Sequence, residues 1–156
     1  MTASDSMYQE IILDHYKHPQ HRELPADFDA EVHHVNPTCG DEVTLRVAVR
    51  GGAIADLGWT GEGCSISQAS TSVMSGLVVG KPVGDALGLG EVFLELMQSK
   101  GEAHLTDDQE EALDDAVAFA GVAKYPARVK CALLGWMAMR GAVADAVGSE
   151  KTGGDQ

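Results

Sequence analysis

The chain has 156 residues, the length of one ordinary domain, and 44% of them are hydrophobic, enough for a normal core. With 11 basic against 24 acidic residues the net charge is -13, which speaks against a phosphate-backbone binder, because that would need a basic stripe. No apolar run approaches the roughly 18 residues that span a bilayer, and MTASDSMYQE lacks the basic and apolar regions of a signal peptide, so the expectation is a cytoplasmic protein that binds neither nucleic acid nor membrane.

Residues Ser6 to His18 read as a first helix. Met7, Ile11, Ile12 and Tyr16 share an apolar face, with Ser4, Asp5 or Ser6 as candidate caps and Pro19 as the stop. Three short strands follow. Glu31 to Val35 is the first. Val43 to Arg50 alternates Val43, Leu45, Val47 and Val49 against Thr44, Arg46, Ala48 and Arg50, a period of two. Gly51-Gly52 supplies a hairpin turn and Ile54 to Thr60 the return strand. Ile66, Ala69, Val73, Met74 and Leu77 then take helical spacing, stopped at Gly80 and Pro82. Val92 to Lys100 reads as a short helix. Thr106-Asp107-Asp108-Gln109 has the form of a capping box opening another, and the acids Asp107, Asp108, Glu110, Glu111, Asp114 and Asp115 read as its solvated face. Pro126 precedes a last helix, about Arg128 to Val147. The expected architecture is one α+β domain over 1–147, a three-stranded antiparallel sheet with helices packed against it, and a disordered tail over 148–156.

Three cysteines, an odd number at wide spacing, argue against a disulfide framework. Cys39 falls between the first two strands, Cys64 where the last strand gives way to a helix, and Cys131 near the start of the last helix. Element ends are where loops carry chemistry on a rigid scaffold. Helix starts favour thiolate at Cys64 and Cys131, and Lys124, Arg128 and Lys130 cluster before Cys131 in a chain otherwise poor in bases. Three thiolates and one further ligand make a tetrahedral zinc site, and Asp41 lies two residues from Cys39. With no Cys-x-x-Cys pair, three unrelated thiols remain the alternative on spacing alone.

Four blocks carry a resemblance: Ile11-Ile12-Leu13-Asp14-His15-Tyr16, Asn36-Pro37-Thr38-Cys39-Gly40-Asp41, Gly61-Glu62-Gly63-Cys64-Ser65-Ile66-Ser67-Gln68-Ala69-Ser70, and Arg128-Val129-Lys130-Cys131. In this order the sequence resembles the IscU/SufU/NifU N-terminal family of iron–sulfur cluster assembly scaffolds, from about Tyr8 to about Val143. Two departures point to its SufU branch. Lys130 stands where IscU-type scaffolds carry a histidine, and the stretch before the third cysteine looks longer, with the extra residues expected within Lys81 to Leu105. The resemblance implies a SufE/NifU-like fold and a zinc-dependent acceptor of persulfide sulfur. Zn²⁺ would be held by Cys39, Asp41, Cys64 and Cys131, with Cys39 receiving the sulfur and Arg128 supporting the site. The implied partner is a pyridoxal-phosphate cysteine desulfurase of the SufS type, with other Suf cluster-assembly proteins beyond it. A scaffold carrying a transient [2Fe–2S] cluster on the same cysteines is the alternative, and a structural zinc module that binds a partner is the third reading. Lys130 favours the first, because a charged ammonium is not a ligand.

The remaining candidates have plainer readings. His15, His18 and His21 recur every third residue, but Pro19 interrupts any shared metal face. His15 then reads as a helix-end histidine, and the resemblance implies that Tyr16 and His15 contact the desulfurase. His33-His34 alternates on a strand and reads as structural. Ser67, Ser70 and Ser72 have no nearby base in sequence and need no catalytic role.

Overall fold

The computed structural model describes residues 3–38, 40–102 and 104–154. In chain order the elements are α1 (Ala3–Lys17), β1 (Ala30–Asn36), β2 (Asp41–Arg50), β3 (Ala53–Glu62), α2 (Ser65–Val78), α3 (Val83–Gln98), α4 (Asp107–Leu113), a 3-10 segment (Asp114–Lys124) and α5 (Pro126–Gly154). The three strands form one antiparallel sheet in the order β1-β2-β3, the expected α+β arrangement.

The period of two in β2 sets the faces of the sheet. Val43, Leu45, Val47 and Val49 are buried, while Glu42 and Arg50 are exposed on the other side. The break in the pattern is Ala48, which is also buried; beside it the register shifts, with Ala48 opposite Asp56 and Val49 opposite Ile54, which leaves Ala55 of β3 as the extra, unpaired residue of a bulge. Gly51 and Gly52 have φ of 60° and 77°, the double positive that a tight two-residue hairpin turn demands.

Helix α5 packs over β1 and β2 and against α2, so the apolar face of the sheet is covered from one side. Trp59, Phe93, Phe119 and Trp136 are all fully buried in one continuous cluster, and Phe93 stacks on Trp136 with ring centroids 4.4 Å apart. The buried part of α2 is largely small and polar: Ser67, Ser70, Thr71, Ser72 and Ser75. Each finds a partner, as in Ser70 Oγ donating to Ala132 O at 2.6 Å and Thr71 Oγ1 to Ser67 O at 2.8 Å. These short side chains let α5 come close, and Thr71 fills the space beside Gly135.

Several boundaries differ from the sequence reading. α1 begins at Ala3, so Ser4, Asp5 and Ser6 lie within its first turn instead of capping it. α3 starts directly after Pro82, not at Val92; Gly84, Gly88 and Gly90 dilute the helical signal, yet Ala86, Leu89, Phe93, Leu96 and Met97 line one buried face. The capping box forms as expected, with Thr106 Oγ1 accepting from Gln109 N and Gln109 Oε1 from Thr106 N. The helix it opens, however, tightens into the 3-10 segment at Asp114, whose φ is 47°. α5 continues as helix through Gly154, past the point at 148 where the sequence suggested a disordered tail; 155 and 156 lie outside the described residues. Among the described residues no helix is long and apolar enough to cross a membrane.

Candidate metal centre

Three elements deliver the side chains. Asp41 is the first residue of β2 and wholly buried, Cys64 directly precedes α2 and is half-buried, and Cys131 is the sixth residue of α5 and buried. One carboxylate oxygen of Asp41 and the two sulfurs all lie within 4.8 Å of one another. The β1–β2 turn and the β3–α2 junction meet because β2 pairs with both neighbours, with Asn36 opposite Asp41 and Glu42 opposite Glu62. Cys39 lies in that β1–β2 turn, outside the described residues.

The Asp41 carboxylate is held from one side. Its Oδ1 accepts the Cys64 backbone N–H at 2.9 Å, leaving Oδ2 at 3.8 Å from Cys64 Sγ. Gly63 makes this approach feasible: at φ 152° it takes a backbone conformation that side chains disfavour, and a Cβ there would collide with the Asp41 carboxylate. Ser67 braces the junction, its Oγ donating to Cys64 O at 3.1 Å and lying 3.9 Å from Cys64 Sγ. Arg22 Nη2 donates to Gly61 O at 2.8 Å, tying the end of β3 to the loop after α1. Cys131 is deeper than its position suggested. It sits a turn and a half into α5, beyond the first turn where the helix dipole acts strongly, with its Sγ 3.6 Å from Ala127 O.

Two thiols and a carboxylate converging on one point match the donors of a zinc-type site, which takes sulfur at about 2.3 Å and carboxylate oxygen at about 2.0–2.2 Å. Two grooves run past residues adjoining Cys64: one of about 520 Å³ is lined by Tyr8, Ile12, Ser65, Tyr125, Lys124 and Arg128, and one of about 520 Å³ by Tyr16, Lys17, Arg22, Glu62 and Gly63. Lys124, Arg128 and Lys130 are exposed, so the bases that the sequence grouped before Cys131 lie on the surface around a buried sulfur.

His15 is a correction. At 5% exposure it is buried, where the sequence reading had set it beside Tyr16 for partner contact. Its Nδ1 lies 2.8 Å from Ser72 Oγ and its Nε2 2.9 Å from Asp115 Oδ2. Asp115, its side chain still 44% exposed on the acidic face, thereby joins α1 to the 3-10 segment, while Ser72 Oγ also accepts Gln20 N–H at 2.8 Å. Met7 and Tyr16, which the spacing assigned to the apolar face of α1, are exposed at 53% and 46%. His33 is at the surface, its Nδ1 2.9 Å from Thr44 Oγ1. Sequence reasoning missed Arg22, Ser67 and the His15 link. Only the histidine spacing hinted at any of them, since the link joins residues 57 and 100 positions apart.

Comparison with known proteins agrees with this arrangement. Residues 7–132 match the family model described as the NifU-like N terminal domain. The zinc-dependent sulfurtransferase SufU of Bacillus subtilis is 40% identical over 140 residues, covering 90% of this chain and 91% of that protein. The iron–sulfur cluster assembly scaffold protein IscU of Streptococcus pyogenes is 36% identical, covering 92% and 86%. A crystal structure from Fervidobacterium islandicum, described as an iron–sulfur cluster assembly scaffold for the SUF system, superposes with a TM-score of 0.79 at 33% identity, covering 88% of this chain and 97% of that one. With the family model matched over residues 7–132 and a relative 40% identical over nearly its whole length, this chain belongs to the family of NifU-like N-terminal domains.

Proposed function

We propose that this chain is a zinc-dependent sulfurtransferase of iron–sulfur cluster assembly, accepting persulfide sulfur from a pyridoxal-phosphate cysteine desulfurase of the SufS type. The observation that carries the reading is the convergence of Asp41, Cys64 and Cys131 within 4.8 Å, in a chain 40% identical to a protein named as such a transferase. Zinc would be held by these three and by Cys39. When bound, it keeps its thiolates deprotonated at neutral pH.

The chain's own residues divide the work. Asp41 is fixed by the Cys64 N–H. Cys131 is anchored on a helix whose neighbours Ala132 and Leu134 are in the core. Cys39 belongs to a turn closed by Gly40 N donating to Asn36 O at 2.9 Å, and is the acceptor in this reading. Its thiolate attacks the outer sulfur of the desulfurase persulfide. A new S–S bond forms, the bond to the desulfurase cysteine breaks, and the electron pair leaves on that cysteine as thiolate, so no external oxidant or reductant is needed. Arg128, exposed on the rim of one groove, supports the site by its charge.

The test has two stages. Freshly purified protein is assayed for metal and for visible absorption, where one zinc and no colour are expected. A brown protein with iron and sulfide would favour the [2Fe–2S] scaffold, the function named for the Streptococcus relative. The protein is then incubated with desulfurase and cysteine, alkylated and mapped by mass spectrometry. The added sulfur is expected on Cys39; finding it on Cys64 or Cys131, with Cys39 unmodified throughout, overturns the acceptor assignment.

A further inference from the structure

Asn36 ends β1 and pairs with Asp41 across the turn that contains Cys39. Both side chains are on the inward face of the sheet, Asn36 at 8% exposure and Asp41 at 0%. Directly opposed residues of an antiparallel pair keep their Cβ atoms about 4.5–5.5 Å apart, so the amide neighbours the carboxylate of the candidate centre. Among the described residues, Asn36 Nδ2 is the one buried side-chain nitrogen or oxygen without a hydrogen-bond partner. Native proteins leave few such groups, because an unpaired buried donor bears its whole desolvation penalty. The following residue is Pro37, which has no N–H. A side-chain donor thus stands where the backbone supplies none.

We infer that Asn36 is a positioning residue whose Nδ2–H group is the hydrogen-bond donor to a thiolate sulfur of the metal-loaded Asp41/Cys64/Cys131 centre. The inference rests on the metal reading given above. Asp41 is a poor alternative acceptor, since its Oδ1 already takes the Cys64 N–H and its Oδ2 is directed at the sulfur cluster. A metal-bound thiolate carries negative charge with lone pairs to spare, and an N–H···S bond orients it and moderates its electron density. The amide nitrogen has no acceptor among the described residues of the metal-free protein, so its contribution belongs to the loaded state.

The test compares the full chain with Asn36→Leu, close in shape but without a donor, and with Asn36→Val in case leucine is not accommodated. Zinc affinity is measured by chelator competition, the sulfur-to-metal charge-transfer band on the Co²⁺-loaded protein, and Tm on the metal-free protein. The expected result is a loss of zinc affinity of about 10–100-fold and a shift of the band to longer wavelength, with metal-free Tm unchanged or raised. Unchanged affinity and an unmoved band overturn the inference. So does a fall of metal-free Tm in both variants, which would give the amide a structural partner before any metal binds. If the parent chain binds neither zinc nor cobalt, the metal reading itself fails, and the two failures are thereby told apart.

Discussion

Gly63 links the geometry of the centre to the stability of the fold. Substitution by alanine has two consequences. The backbone at φ 152° is disfavoured for any residue with a Cβ, at a cost of about 1–3 kcal/mol. The new methyl would also run into Asp41 Oδ1 and crowd Ser67 Oγ at 2.9 Å. Relief requires moving the carboxylate off the Cys64 N–H, a charge-assisted bond worth about 1.5–3 kcal/mol. Together the loss is about 3–5 kcal/mol, a large part of the roughly 5–15 kcal/mol of a typical domain, and at about 2–4 °C per kcal/mol it lowers Tm by around 10 °C. Gly80→Ala is the control: its φ is 89° with nothing within 4 Å of the added Cβ, so it bears only the backbone cost of about 1–2 kcal/mol. Both variants are melted by far-UV circular dichroism without metal and then titrated with zinc against a chelator. Gly63→Ala is expected to be the less stable and to bind zinc at least about tenfold more weakly, as for a disturbed metal surround. Equal behaviour of the two variants in both assays would refute the claim that Gly63 makes room for Asp41.

Cys64→Ser and Cys131→Ser are each expected to abolish stimulation of the desulfurase, measured as alanine released from cysteine; full activity in both would break the shared-site reading. His15→Ala removes the bridge between Ser72 and Asp115 and leaves a cavity, with an expected loss of about 2–4 kcal/mol in urea denaturation; a loss below about 0.5 kcal/mol would show that α1 is held by other contacts. Asp29 is held below the ordinary carboxylate range, first by the Val49 N–H bond and then by Arg50. A depressed pKa contributes stability that is present above the unfolded value near about 3.9 and is lost as pH falls through the folded one. Asp29→Asn is therefore expected to be less stable than the parent at pH 7, with the two melting curves converging in acid below about pH 4; a constant gap down to the lowest pH would contradict it.

The sheet was legible because β2 alternates with a period of two and Gly51-Gly52 has one natural use, which fixes β3 as the return strand. The residues of the centre were legible for a chemical reason: thiols at element ends are uncommon, and the blocks around them are specific. Other features were hidden by composition. α2 buries Ser67, Ser70, Thr71, Ser72 and Ser75, which hydropathy scores as surface although each satisfies its hydroxyl within the fold. The first half of α3 was lost among three glycines that local propensity counts against a helix. Asp115 looked like one more acid on a solvated face, and nothing local distinguished it from Asp114, which is exposed. The exposure of Arg128 beside the burial of Cys131, three residues apart, is a matter of helix face that the charge cluster obscured.

The origin of Cys131 in α5 bears on the timing of synthesis. Asp41 and Cys64 come from the first half of the chain, and a β-meander with α2 could assemble as soon as it leaves the ribosome. The last sulfur, and the helix that covers β1 and β2, emerge only after residue 125. At about 5–20 residues per second, the 67 positions from Cys64 to Cys131 take several seconds to make. During that interval Asp41 and Cys64 are present on a sheet that α5 does not yet cover. Completion of the centre and closure of the core are thus one late event, so a nascent chain acquires its full donor set only when it also acquires its fold.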